Sequence, residues 1–275
     1  MPDLSQTQPF AFTCEGGLIK SRSTFVMQPG QALELLNFEP DIKGGYRRIS
    51  GFRRQINHIV PQTSASSEKV LMVAFFNNNI LAARGEKIFS SASTELATAI
   101  TSSATMSGSG TITVDSTSGF SSSGTLQINS EIFTYTGKTS TTFTGVTRAT
   151  NSTSAAAHAV DDAVSESWTE RDTGRTSASK YSFERFNFDG NDKIIVTDGT
   201  NDPTVFNTSL AATDVTESSV EGAKFVTAFK SHMFYAGMSS TPQELVFSQP
   251  FDEDAFNTGS GAGSIKVDDT IVGMK

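Results

Sequence analysis

Short apolar runs separated by turn residues organise this chain. In residues 69–93, KVLMVAFFNNNILAARGEKIFSSAS, one apolar run ends at Asn77-Asn78-Asn79 and a second at Arg84-Gly85-Glu86, after which a third short strand follows. The spacing predicts a three-stranded antiparallel meander. The same pattern returns in residues 192–207, DKIIVTDGTNDPTVFN, turning at Asp198-Gly199 and Asn201-Asp202-Pro203. It returns again in residues 223–250, AKFVTAFKSHMFYAGMSSTPQELVFSQP, turning near Lys230-Ser231 and at Ser239-Ser240-Thr241-Pro242. Three similar units indicate a repeat. Val70 to Val73 are consecutive apolar residues, as are Ile194, Ile195 and Val196, so each predicted sheet is apolar on both faces and needs two neighbours. Radial stacking of β-propeller blades supplies them; a β-sandwich with irregular hairpins is the competing architecture.

Residues 105–165 differ, being rich in Ser, Thr and Gly in the manner of a linker. Alternation argues for structure instead: Ile112, Val114, Leu126, Ile128, Ile132, Phe133, Tyr135, Phe143 and Val146 fall at strand-like spacing, with Gly119, Gly124, Gly137 and Gly145 at the breaks. This predicts a compact β-module inserted in a loop of the first meander. With it removed, KIFSSASTELATAI runs almost directly into SESWTERDTG, which offers a fourth strand around Trp168.

Composition agrees with an all-β chain. Of 275 residues, 36% are hydrophobic and 18% charged, and Thr, Val, Phe and Ile outweigh the Lys, Glu and Leu of helical proteins. The single cysteine, Cys14, can form no internal disulfide. Neither a signal-peptide pattern nor an apolar run of about 20 residues is present, so the expectation is a soluble chain made in a cytoplasm, without membrane insertion. The net charge of -8 opposes wrapping of nucleic acid by the whole surface.

One stretch reverses that sign. In GGYRRISGFRR, residues 44–54, Arg47, Arg48, Arg53 and Arg54 fall within eight positions, and no carboxylate lies between Lys43 and Arg54. As a hairpin turning at Ser50-Gly51 it would divide its arginines between two faces. Phosphate contact in a DNA channel is one use of such a patch. Pairing with Glu39, Asp41 or another subunit is the other, and the one the composition favours.

Material for catalysis or metal binding is poor, and the sequence implies no enzyme and no cofactor. His58, His158 and His232 sit in three different units and outside triad or metal-ligand spacing. Asp189, Asn191, Asp192 and Asp198 fail the EF-hand pattern and read as turn residues. GSGAG at 259–263 reads as a flexible loop and FDEDAF at 251–256 as an exposed acidic one. A glycan-hydrolysing alternative would need a carboxylate pair, for which Asp189 with Glu184 or Glu244 are the candidates.

The opening FTCEGGLIKSRSTFVMQPGQALELLNFEPDIKGGYRRISGFRR resembles the N-terminus of tailed-bacteriophage virion proteins of the tail nozzle or tail accessory ring type. The inserted segment is similar to a small β-domain of phage structural proteins, through TVDSTSGF, GTLQI, FTYTGK and TFTGVTR. The resemblance implies an N-terminal arm and basic hairpin at 1–62, a first propeller-like blade at 63–104, the inserted module at 105–165, and further blades at 166–275. It implies a structural component of the tail (nozzle, accessory or collar ring), located in the virion and assembled in the host cytoplasm. Its partners would be copies of itself in a ring-like homo-oligomer, other tail or portal-complex proteins and, through non-specific contact, packaged DNA. A tail-fibre-like protein recognising host surface glycan is the alternative. Only three blades are visible, fewer than the four or more of a closed propeller, which leaves a fragment of a longer protein or a ring completed by neighbouring subunits.

Overall fold

The structure, a computed structural model, describes residues 17–19, 27, 31–40, 46–49, 55–56, 58–63, 68–176, 180–188 and 190–274. The described residues are all-β, with one short 3-10 turn at Thr258–Ser260 and several antiparallel sheets, none of which closes on itself. Two compact units divide the chain at residues 53 and 54.

In the first unit β1 (Gly17–Leu18) pairs in parallel with β2 (Gln31–Ala32), and β3 (Phe38–Pro40) pairs antiparallel with β4 (Tyr46–Arg48). The Leu18 N–H donates to the Tyr46 hydroxyl at 2.8 Å, tying the two pairs together.

The second unit contains three four-stranded antiparallel meanders. The first is β5 (Val70–Phe76), β6 (Asn79–Arg84), the first half of β7 (Lys87–Glu95) and, after the inserted segment, β14 (Thr169–Asp172). The second is β15 (Ser182–Phe188), β16 (Asn191–Thr197), β17 (Thr204–Phe206) and β18 (Ala212–Asp214). The third is β19 (Phe225–Phe229), β20 (His232–Ala236), β21 (Glu244–Phe247) and β22 (Gly263–Lys266). Tight turns set the registers: Asn77-Asn78 and Lys230-Ser231 all have positive φ, the two-residue hairpin geometry that matches strand twist.

Stacking explains the consecutive apolar residues. Ile194 and Val196 of β16 and Phe206 of β17 pack with Met72, Ala74 and Phe76 of β5, while the intervening Ile195 and Val205 pack with Val226, Tyr235 and Val246 of the third sheet. Alternation along β16 thus sends successive side chains to opposite junctions. At each junction the first strand of one meander neighbours the first strand of the next.

Between β7 and β14 the inserted segment contributes β8 (Ser107–Thr113), β9 (Gly124–Ile128), β10 (Glu131–Tyr135), β11 (Gly137–Lys138), β12 (Thr142–Thr147) and β13 (Ala163–Glu166). Its core holds Ile112, Leu126, Ile128, Phe133, Tyr135, Phe143 and Val146, with edge-on ring pairs Phe120–Phe143 at 5.0 Å and Tyr135–Phe143 at 4.8 Å. Ile132, in the opposite phase to Phe133, is only half-buried. A bulge between Thr144 and Val146 resets the alternation so that both Phe143 and Val146 point inward. Gly145 sits there with φ 63°, and a Cβ on it would stand 1.9 Å from Thr136 Oγ1.

The segment does not hang on two linkers. Strand β13 pairs with both β9 and the second half of β7, joining the insert and the first meander in one continuous sheet, and Ala92, Leu96 and Ile100 of the stretch before residue 105 belong to the insert's core. The physical boundary therefore lies near residue 95. Glu95 and Ala163 are cross-strand partners, so Asn-Gly in place of residues 96–162 can close them with a hairpin. That variant is expected to stay soluble with a β-sheet circular dichroism spectrum. Removal of 105–165 is expected to aggregate, because it bares Leu96 and Ile100 and strips β13 from β7.

Candidate interaction surfaces

The basic strand comes first. Arg47 and Arg48 lie on β4, exposed and on opposite faces, as successive strand residues must. Arg47 stands across from Glu39 and its Nε donates to Glu39 Oε1 at 2.7 Å. Both side chains are largely exposed, 60% and 43%, so the pair contributes at most about 1 kcal/mol. Within the described residues the strand of arginines thus turns back on Phe38–Pro40; Arg53, Arg54 and the turn expected at Ser50-Gly51 lie outside them.

Apolar surface is the second feature. In the third sheet Val226, Met233, Tyr235 and Val246 pack toward the second sheet, leaving Phe229, Phe234, Leu245, Phe247 and Ile265 in the opposite phase. Phe229 is 60% exposed and Ile265 51%. The rings of Phe229, Phe234 and Phe247 pack in a row, with centroids 6.4 and 5.5 Å apart. Beside them is a hollow of about 390 Å³ lined by Thr227, Ala228, Phe229, Phe234, Leu245 and Met274. At the other end of the stack, Val73 and Phe75 of β5 share the face turned away from the second sheet and are 63% and 57% exposed. The phenylalanine row of the third sheet makes this apolar surface a candidate for contact with another macromolecule; on the first sheet Ala82 and Phe89, in the same phase as Val73 and Phe75, are buried.

Buried charges, by contrast, are spent on holding the fold. Glu131 is fully buried and accepts from Arg148 Nε and Nη2, both at 2.8 Å, and from the backbone N–H of Ala149 and Ala156. His158 Nε2 lies 2.8 Å from the same carboxylate. Burial pushes the Glu131 carboxyl up, but the hydrogen bonds from Arg148, Ala156 and His158 outweigh it and bring it from 4.5 to about 2. Arg175 is held between Asp172 and Asp198 at 2.7 and 2.8 Å. Asp198 also accepts from the N–H groups of Thr200 and Asn201, which makes it a turn-forming residue, as its place beside Gly199 suggested.

The remaining sequence candidates separate. His58 accepts at its carbonyl from Trp168 Nε1 at 3.1 Å, and His232 packs edge-on against Phe247. Glu184 lies on β15 and Glu244 on β21, in different sheets, while Asp189 falls outside the described residues. The FDEDAF loop is exposed at Phe251, Asp252 and Asp254, as expected, but Glu253 at its centre is buried: it pairs with Lys193 of the second sheet, and its carbonyl accepts from Tyr235 of the third at 2.6 Å. The GSGAG stretch begins within a 3-10 turn at Thr258–Ser260, where the Asn257 side chain caps Gly259 N–H, and it ends where β22 begins at Gly263.

Among the described residues no group of three or more His, Cys, Asp or Glu could hold a metal ion, and no helix is long and apolar enough to cross a membrane. The chain matches no family model, no curated protein and no solved structure.

Proposed function

We propose that the chain is a structural component of a bacteriophage virion, of the tail nozzle, accessory or collar ring type, which acts through contacts with neighbouring subunits. In this reading the three meanders are blades of propeller type and the insert is the small β-domain that its motifs resemble. The observation that carries it is the third sheet: its strands are apolar on both faces, one face is covered by the second sheet, and the other presents a row of phenylalanines. That is the construction of a piece in an assembly, and the resemblance of the N-terminal residues to nozzle proteins supports the same reading. Arg47, Arg48, Arg53 and Arg54 are assigned to a subunit contact ahead of a DNA channel, since Arg47 already engages a carboxylate.

Immunogold electron microscopy of purified particles tests the reading. Label on the tail axis is the expected result. Label on peripheral projections would favour the glycan-recognising fibre, and particles without the chain would overturn both.

A further inference from the structure

We propose that the described part of residues 55–63 is a strap over the first sheet, which protonation of His58 releases so that Ala82 and Phe89 are bared. The device is independent of where the chain sits in a particle.

The face of the first sheet turned away from the second runs Val73–Ala82–Phe89 across β5, β6 and β7. On the edge strand Val73 is exposed, yet Ala82 and Phe89 are 0% and 1% exposed. The chain before β5 supplies the cover. Gln55 Nε2 donates to Ser93 Oγ at 3.1 Å, Trp168 Nε1 to the His58 carbonyl at 3.1 Å, and Arg84 Nη1 to the Val60 carbonyl. Ser93 shares the strand phase of Phe89, and Arg84 that of Ala82, so the segment is pinned on either side of the two buried residues. Its far end is fixed at Thr63, whose N–H and hydroxyl both donate to the Glu68 carboxylate at 2.7 Å.

The weak point of the strap is the His58 ring. It hydrogen-bonds to the Ser165 backbone, while its Nε2 is buried without a partner. Nδ1 therefore carries the proton, and a second proton would sit on Nε2 with no acceptor to meet it. The charged groups on the surrounding strands are Glu166 on β13, Glu170, Arg171 and Asp172 on β14, Lys87 and Glu95 on β7, and Arg84 on β6. Most are engaged elsewhere: Glu166 with Ser121 and Tyr135, Glu170 with Lys87, Asp172 with Arg175, and Arg171 with Ser90. Burial, opposed only by the Ser165 hydrogen bond, holds His58 below its ordinary 6.5. Lifting the strap frees Nε2 to take a proton, so the strap's hold is complete above 6.5 and weakens as the pH falls below it.

Trp168 is the one tryptophan of the chain and bonds the strap directly, so its emission reports release. Between about pH 7.5 and 4.5 the emission of the wild type should move to the red, through a midpoint below 6.5, with an unchanged circular dichroism spectrum. In a Cys14→Ser background, the thiol introduced by Ala82→Cys should be labelled by a dipyridyl disulfide up to about tenfold faster per pH unit over the same window, relative to a small free thiol, because one proton is bound on opening. His58→Asn keeps a donor for Ser165 but has no ring to titrate, and in it and in His58→Phe neither change should appear. A Trp168 emission that does not shift overturns the strap, as does a shift that persists in both His58 variants. A shift that coincides with loss of the β-sheet spectrum overturns it too, since the whole fold and not the strap would then be opening.

Discussion

Replacing Arg148 by methionine is expected to destabilise the protein by about 3–5 kcal/mol in urea denaturation, the usual penalty for leaving a buried charge without its partner. The side chain follows Val146 at strand spacing and points into the insert, where Glu131 is its counter-ion. Its Nη1 also donates to the carbonyls of Thr101 and Ala104 at 2.9 and 3.0 Å, and its Nη2 to that of Ala156 at 2.6 Å. One guanidinium thus satisfies a carboxylate and three carbonyls of irregular backbone that no strand pairs. Lysine cannot reproduce the fork, so Arg148→Lys should recover little. Adding Glu131→Gln to Arg148→Met should cost less than the sum of the single changes, because the orphaned charge is gone.

The pH dependence has a definite sign. Glu131 titrates near 4.5 in the unfolded chain and at about 2 when folded. Its contribution is therefore complete above about pH 4.5 and is lost as the pH falls towards 2. The stability difference between wild type and Arg148→Met should shrink over that window. A difference that stays constant from pH 6 to 2.5 would show that the carboxylate is not what Arg148 serves.

How much of this was legible in the sequence depends on whether the signal is local. The meanders announced themselves because Ile194-Ile195-Val196 leaves no polar face and because Asn77-Asn78 and Lys230-Ser231 turn where the runs break. The fourth strand near Trp168 was legible once the insert was set aside. The dual role of β7 was not, since Ser90 and Ser91 are polar letters in a buried strand, and only long-range pairing shows that one end serves the first meander and the other the insert. Buried charges hid for the same reason. Yet Glu131, Phe133 and Tyr135 share one strand phase, and so do Val146 and Arg148. A charge in the inward phase of an alternating strand requires a buried partner of opposite sign, and two such residues in one module are each other's best candidates. FDEDAF carried no signal of that kind, because a loop has no phase; Glu253 is buried only because Lys193 and Tyr235 arrive from two other elements.

Arg175→Met is the second large effect expected, again about 3–5 kcal/mol, and it acts at a different place. Arg175 follows the last strand of the first meander. Its Nη1 donates to Asp172 Oδ2 at 2.7 Å and to Thr204 Oγ1 of the second sheet at 2.5 Å, and its Nη2 to Asp198 Oδ2 at 2.8 Å. The guanidinium lies 5.6 Å from the centre of the Tyr181 ring, whose phenol is pushed up to about 12, first by burial. The residue is thus a polar rivet between two sheets that meet mainly through apolar side chains. Removing it strands Asp198, whose side chain is fully buried, more than Asp172, which keeps some access to water. Asp198→Asn should accordingly cost more than Asp172→Asn. Because the rivet joins sheets rather than strands within one sheet, its loss should also loosen their coupling. Unfolding followed by Trp168 fluorescence, which reports on the first sheet, and by circular dichroism, which reports on all, should coincide in the wild type and separate in Arg175→Met. Coincident transitions shifted by under about 0.5 kcal/mol would place the hold between the sheets in Met72, Phe76, Ile194 and Phe206 alone.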